Sequence, residues 1–280
     1  MTIPLCIYHH ACADGVAAAW AVREHYRLKG SDVEFFPGIY DEAPPDVTGR
    51  DVIMVDFSYK RPVLLQMAEQ ANSLLVIDHH KTAMQDIIDL PFSIDLEFSL
   101  NHSGAMLAWN RFHPGQDAPL LFDHIQDHDL WRFALSHTRE ITAAVYSHPI
   151  TPTNFGDLIN AGIRSLIAEG ISLLRKQRHD IDAIIRDAVR QMRFGETLVP
   201  AANVPWMYAS DVAGILAEGQ PFAVTYYDDA KGRRFSLRST PDGADVSTIA
   251  EAFGGGGHEH AAGFRMTREE AIDFEVAGGV

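Results

Sequence analysis

Apolar runs and helical stretches alternate through the first 80 residues. Residues 3–8 form a short apolar run, and residues 16–28 follow with helical spacing. Residues 33–36 are a second run and 51–55 a third. The third is followed by a predicted helix over 61–71, with Pro62 near its start, where the missing N–H removes no helix bond. Residues 74–77 are a fourth run. Short continuous apolar runs between helices predict βα units and a parallel sheet covered on both faces. Residues 103–132 read as two helical segments separated by Pro114 and Gly115. Over 157–193, apolar positions such as Leu158, Ile163, Leu166, Leu174, Ile181 and Val189 recur at helical spacing. They predict one or two long helices with a break near Gly170. Trp20, Trp109 and Trp131 fall on predicted helices and are assigned to the core.

The last third changes period. Residues 221–227 and 233–239 alternate around a turn at 228–232, predicting a hairpin, and 246–253 predict a short helix ending in four glycines. The fold class is α/β: a parallel-sheet domain over 1–150, a helical connector over 151–194, and a smaller α+β domain over 195–275.

Charge and cysteine content narrow the function classes. The formal net charge is −15, which disfavours a protein that grips long duplex nucleic acid. A small phosphorylated ligand needs only local cations or metal ions. The two cysteines, Cys6 and Cys12, cannot make a disulfide framework and fit a reducing compartment. No basic leader precedes the first apolar run and no stretch is long enough to span a bilayer, so a cytoplasmic location without membrane association is expected.

Chemistry-bearing residues follow the apolar runs. His9, His10, Cys12 and Asp14 follow the first, Asp56 the third, and Asp78, His79 and His80 the fourth. Open parallel sheets bind ligands beyond the carboxyl ends of their strands. Three strands would therefore deliver carboxylates and imidazoles to one edge, a pattern that predicts a metal site. An Asp/His set with little thiolate suits Mn²⁺, with Mg²⁺, Co²⁺ or Fe²⁺ as alternatives. The surplus of ligands over the needs of one ion predicts two metals, with Asp56 as a bridging carboxylate.

The motif His10-x-Cys12-x-Asp14-Gly15, then Asp56, then Asp78-His79-His80 resembles the DHH phosphoesterase superfamily. The tail Gly254-Gly255-Gly256-Gly257-His258, continuing to Ala261-Ala262-Gly263, resembles the GGGGH signature of the associated DHHA1 domain. The resemblance implies a Mn²⁺-dependent phosphoesterase. Its catalytic centre would lie on the first domain, and the second domain would close over the cleft to hold the substrate. Carried over by position, His10 would bind the first metal and Asp14 the second, Asp56 would bridge them, and His79 would be a second-site ligand. Asp78 and His80 would be the catalytic pair, with His80 beside the phosphate. A further Asp comes from a helix; Asp127 is the candidate, Asp123 its rival one turn earlier, and Asp129 the third choice. Cys12 stands where many members have Asp, and reads equally as a metal ligand or a small buried thiol.

Four consecutive glycines exceed what ending a helix requires. Backbone amides of Gly255, Gly256 and Gly257 approaching an anion would account for them, with His258 contacting phosphate or ribose. Arg238 and Ser239, ending the preceding strand, offer a bidentate phosphate contact. Ser103-Gly104 reads as a helix cap, with a helix N-terminus that can also receive phosphate. The leading expectation is hydrolysis of a phosphodiester in a short oligonucleotide or cyclic nucleotide. The alternatives are a phosphoanhydride hydrolase acting on pyrophosphate or polyphosphate, and a catalytically weakened metal- or nucleotide-binding sensor.

Overall fold

The computed structural model describes all residues except 1, 2, 11, 41, 88, 91–93 and 278–280, and the side chains of 273–277 are also outside it. Residues 1–175 and 176–280 form two compact units. In the first, the elements run β1 (Leu5–His9), α1 (Ala13–Leu28), β2 (Glu34–Gly38), β3 (Asp51–Val55), α2 (Arg61–Gln70) and β4 (Ser73–Asp78). Then come α3 (Ala83–Ile87), β5 (Ile94–Phe98), α4 (Gly104–Phe112), α5 (Leu120–Asp129), α6 (Thr138–Ser147), α7 (Phe155–Ala161) and the first part of α8 (Ile163–Ala188). The sheet order is β2-β1-β3-β4-β5, and each neighbouring pair is parallel.

Both faces of this sheet are buried, as the continuous apolar runs predict. Leu5, Ile7, Val52, Met54, Leu74 and Val76 point to one side, where Leu64 and Met67 of α2 cover them. Cys6, Ile53, Val55 and Ile77 point to the other, against α1, α4 and α5. The small face of α1, with Ala17, Ala18, Ala19 and Ala21 fully buried, lets it lie close to its neighbours. Trp20 stacks on Trp109 at 6.1 Å, with Phe122 and Phe155 around them. Burying such side chains contributes roughly 1.5–3 kcal/mol each. Trp20 and Trp109 are thus core residues, whereas Trp131 is half-buried and lies outside the core cluster.

The expected helix break near Gly170 is not there. Gly170 lies within α8, and the interruption falls at Gly162, between α7 and α8.

In the second unit, β6 (Val189–Phe194), β7 (Thr197–Asn203), α9 (Ala209–Leu216), β8 (Ala223–Asp229) and β9 (Gly232–Arg238) precede α10 (Val246–Glu251), β10 (Gly256–His258), β11 (Ala261–Met266) and α11 (Arg268–Ala277). The six-stranded sheet has the order β10-β11-β9-β8-β7-β6, antiparallel except for β7 with β8. Its first strand begins at Val189, directly after α8. One face buries Phe222, Val224, Phe235, Leu237 and Phe264 under α10. The other packs Ala202 and Val204 against α9 and Ile181 of α8. Among the described residues no helix is long and apolar enough to cross a membrane.

Candidate metal centre

The chain leaves β1 to one side for β2 and returns on the other side for β3. That reversal is the switch point where open parallel sheets bind ligands. His9 ends β1, Asp56 follows β3, and Asp78 ends β4 with His79 and His80 directly after it. Three adjacent strands therefore place these groups at one edge. Asp14 joins them from the first turn of α1, and Asp129 from the last residue of α5.

Three carboxylates converge on one imidazole nitrogen. His79 Nε2 lies 2.9 Å from Asp56 Oδ1, 3.5 Å from Asp129 Oδ2 and 3.6 Å from Asp14 Oδ2. His9 Nδ1 is 3.3 Å from the other Asp56 oxygen. Asp78 plays a different part. Its Oδ1 accepts the His79 N–H at 2.7 Å and the His80 N–H at 3.2 Å, and lies 2.7 Å from His80 Nδ1. It fixes the backbone of the tripeptide and the His80 ring from below.

Local backbone features serve this geometry. Asp56 has φ 54°, in the left-handed region, which aspartate and asparagine tolerate better than other non-glycine residues. Its N–H donates to Ile77 O at 2.9 Å, tying the turn to β4. The N-terminus of α4 abuts the cluster: Ser103 caps it by accepting from Met106 N–H, and Ala105 N–H donates to Asp14 Oδ1 at 3.1 Å. Two glycines permit these approaches. A Cβ at Gly15 would stand 2.5 Å from His9 O, and one at Gly104 would stand 2.5 Å from Asp56 Cβ.

The electrostatics follow from burying several like charges together. Burial raises the Asp14 pKa well above the carboxylate range, and Asp56 and Asp129 add to it. Burial also raises Asp129. Burial would raise Asp56 too, but hydrogen bonding to His79 and His9 outweighs it and holds that carboxyl well below its usual value. Burial would lower His79, but Asp129, Asp56 and Asp14 overcome it and lift the imidazole to about 10. The site thus selects a positive charge at its centre.

A divalent cation fits these residues. Among the described residues, Asp14 Oδ2 and Asp129 Oδ2 are buried with no hydrogen-bond partner, and buried charge is otherwise retained only by pairing or metal coordination. Ligand atoms of Asp14, Asp56 and His79 lie within 4.8 Å of one another, as do those of His9, Asp56 and His80. Asp56 belongs to both groups, the arrangement a bridging carboxylate requires.

Comparison with known proteins bears on both units. Residues 204–276 match the DHHA1 domain model. The uncharacterized protein R106 of Acanthamoeba polyphaga mimivirus is 28% identical over 289 residues, covering 95% of this chain and 68% of that protein. The DHH domain of a protein described as belonging to a family of ribosomal proteins superposes with a TM-score of 0.61 at 14% identity, over 98% of this chain and 86% of that one. The chain has the DHH fold and carries a DHHA1 domain. Exonuclease RecJ bound to manganese shares the fold, with a TM-score of 0.52 at 16% identity over 98% of this chain and 88% of that one. So does PggH, a pGpG-specific phosphodiesterase from Vibrio cholerae, with a TM-score of 0.51 at 13% identity over 99% and 97%.

On this DHH fold the expected site residues separate. Asp14, Asp56 and His79 come together as expected from the motifs, with His80 alongside. His10 does not: it is exposed just beyond the end of β1, and its place in the cluster is taken by His9. Asp127 is buried but turned away, its carboxylate accepting Ala134 N–H at 2.8 Å, Leu135 N–H at 3.1 Å and Thr138 Oγ1–H at 2.6 Å. Asp129 reaches the cluster instead. The reason is helical period: positions 123 and 127 share a face, and 129 projects from nearly the opposite one. Cys12 precedes α1 at its N-cap. Burial raises its pKa well above the usual thiol value, and Asp56, Asp129 and Asp14 raise it further. Tyr146 was not anticipated: its hydroxyl accepts Ala13 N–H at 3.3 Å, next to Cys12. Only tertiary structure brings α6 there, and no local sequence signal marks it.

In the DHHA1 unit the glycine run has a packing explanation in part. Gly254 (φ 76°) follows α10, and Gly255 N–H donates to Ala250 O at 2.9 Å, closing that helix. A Cβ at Gly255 would stand 2.1 Å from Gly263 O, and one at Gly257 would stand 2.5 Å from Ala261 O. Gly256 pairs with Gly263 and His258 with Ala261 across β10 and β11. Ser239 is buried, its Oγ 3.0 Å from His260 Nδ1. Arg238 donates to Leu237 O at 2.8 Å and to Ser210 Oγ at 2.6 Å.

The two acidic residues of α5 give opposite expected results. Asp129→Ala should keep the folded structure and lower metal affinity. Asp127→Ala should leave metal stoichiometry intact but strand two backbone amides, lowering stability by at least about 1.5–3 kcal/mol, the usual worth of one hydrogen bond to a charged group. Calorimetry with metal titration on both variants checks the pair. The reverse pattern would return Asp127 to the ligand set.

Proposed function

We propose that this protein is a two-metal phosphodiesterase acting on a small nucleotide, a short oligonucleotide or a cyclic nucleotide. The observation that carries the reading is Asp56, buried at the switch point and common to both groups of ligand atoms. Asp14, Asp56 and His79, with Asp129, would hold one ion, and His9, Asp56 and His80 the other. Bound there, a pair of Mn²⁺-type ions supplies Lewis-acid polarisation of the phosphoryl group and a water acidic enough to attack it near neutral pH. The protein's own share is orientation. Asp78 holds His80 Nδ1, so the Nε2 edge of that ring is set for ligand or phosphate. The start of α4 fixes Asp14 through Ala105 N–H, and β4 fixes the Asp56 turn. Asp56 remains ionised, as a shared anionic ligand must.

The nucleotide substrate is supported by the DHHA1 match and by the fold shared with a phosphodiesterase described as pGpG-specific. The net charge of −15 favours a short substrate over a long polyanion. Arg238, His258 and the glycine strand of the DHHA1 unit are proposed to grip the substrate, leaving the metals to the DHH unit.

The test is incubation with Mn²⁺ and a panel of linear dinucleotides, 2′,3′- and 3′,5′-cyclic nucleotides, 3′-phosphoadenosine phosphate and pyrophosphate. Release of mononucleotides supports the reading; phosphate from pyrophosphate alone overturns it. Binding should also stabilise the fold. At Mn²⁺ about 100-fold above Kd the gain is about 2.7 kcal/mol, or a rise on the order of 5–10 °C in the Tm of a unit this size. A chelator should reverse that shift.

A further inference from the structure

The segment that leaves α5 just after Asp129 is held in an unusual conformation. Trp131 has φ 55°, Phe133 φ 48° and His137 φ 68°, three non-glycine residues in the left-handed region within seven positions. Bulky side chains adopt it rarely, and such outliers persist only where surrounding bonds impose them. Here Asp127 imposes them. Its carboxylate takes Ala134 N–H, Leu135 N–H and Thr138 Oγ1–H, and its carbonyl takes Arg132 N–H at 2.9 Å and Phe133 N–H at 3.2 Å.

The imposed conformation builds an aromatic row on the surface. Trp131 meets Phe133 edge-on at 4.8 Å, and His128 lies 5.7 Å from Phe133 and 6.1 Å from Trp131. Tyr146 is 6.1 Å from His128. None of the four belongs to a core cluster. Trp131, Phe133 and His128 are half-buried and Tyr146 is 47% exposed. The row starts at the carboxylates, because the Tyr146 hydroxyl accepts the Ala13 N–H beside Cys12 and Asp14. At the far end the Arg139 guanidinium sits 3.6 Å over the Phe133 ring. Flat apolar faces leading away from a phosphoryl-transfer centre, with a cation at their margin, match a base and a phosphate of the same ligand.

We propose that Trp131, Phe133 and Tyr146 form the base-stacking face of the substrate site, with Arg139 available to a neighbouring phosphate. The proposal rests on the nucleotide reading above and adds a recognition surface to it. Stacking on such faces tolerates any base, so the face selects nucleotides over phosphates that lack a base without reading sequence.

The test compares adenosine 5′-monophosphate with ribose 5-phosphate by calorimetric titration of the Mn²⁺-loaded protein. The wild type should prefer the nucleotide. Trp131→Leu and Phe133→Leu keep apolar bulk but remove the π-face, and each should weaken nucleotide binding by about 5- to 150-fold while leaving ribose 5-phosphate unchanged. Tyr146→Phe, which keeps its ring, should preserve the preference. Wild-type affinity for the nucleotide in folded leucine variants would show that the row serves packing alone and would overturn the proposal. The two readings fail separately. Absence of phosphodiester turnover in the wild type would remove the proposed reaction, yet a Trp131-dependent preference for the nucleotide would still stand. Turnover with a preference indifferent to both substitutions would leave the reaction and remove this face.

Discussion

Asp56→Asn should abolish tight binding of both ions and lower turnover by on the order of 10³-fold or more, beyond the 10- to 100-fold typical of losing an outer hydrogen-bond partner. The carboxylate is shared between two groups of ligand atoms, so one substitution removes an anion from both. Asparagine is the informative replacement. It keeps the shape of the side chain and tolerates φ 54°, whereas alanine adds about 1–2 kcal/mol of backbone strain to the loss of charge. Metal analysis of the purified variant, paired with initial rates at saturating Mn²⁺, separates the effects. A variant retaining two ions per chain, or wild-type rates, would refute the shared carboxylate. The Mn²⁺-dependent rise in Tm should vanish with the ions.

Gly104→Ala should disable the same carboxylate without altering any ligand. The added methyl would stand 2.5 Å from Asp56 Cβ, 2.8 Å from Oδ1 and 2.9 Å from Cα. In an unconstrained helix, alanine in place of glycine gains about 1 kcal/mol. Here the clash falls on a residue whose backbone is pinned to Ile77 O, so it cannot give way. Overpacking of this kind costs about 1–3 kcal/mol, which outweighs the propensity gain. The net cost is up to about 2 kcal/mol, a fall in Tm of up to about 8 °C, with Mn²⁺ affinity reduced at least about tenfold. Unchanged affinity by titration would mean that the start of α4 does not seat Asp56.

Much of the first unit was legible because its central strands are buried on both faces. Residues of β1, β3 and β4 therefore read as continuous apolar runs, and their ends mark where the carboxylates and imidazoles cluster. β5 escaped notice because Asp95 and Glu97 interrupt it at an exposed sheet edge. The motif spacing pointed to His10, but only the strand's last residue, His9, stays in the row that faces the cluster, while His10 N–H turns to Gly38 O. On α5, three acids within seven positions left the choice to rotation about the helix axis, and neighbouring acids alone do not reveal which face meets the sheet edge. The roles of Ser103 and Gly104 were half visible as a helix start. That this start abuts Asp14 and Asp56 depends on α4 packing against α1, a contact between segments some 90 positions apart. The glycine run predicts an anion cradle from sequence, and its close approach to β11 follows only from the strand pairing.

The bonds Asp127 makes to residues 132–135 have a consequence for sequence change. All four go to main-chain N–H groups, which every residue but proline supplies. The anchor is therefore blind to the side chains it displays, although the left-handed positions still restrict which side chains are comfortable there. Substitutions at 131 and 133 can alter the exposed surface while the loop keeps its attachment to α5, and Asp129 stays where it is. In a lineage of such proteins the carboxylate cluster and the loop after α5 could diverge at different rates: the first held by charge and geometry, the second attached whatever side chains it carries. Proline at 132–135 is the change this arrangement forbids.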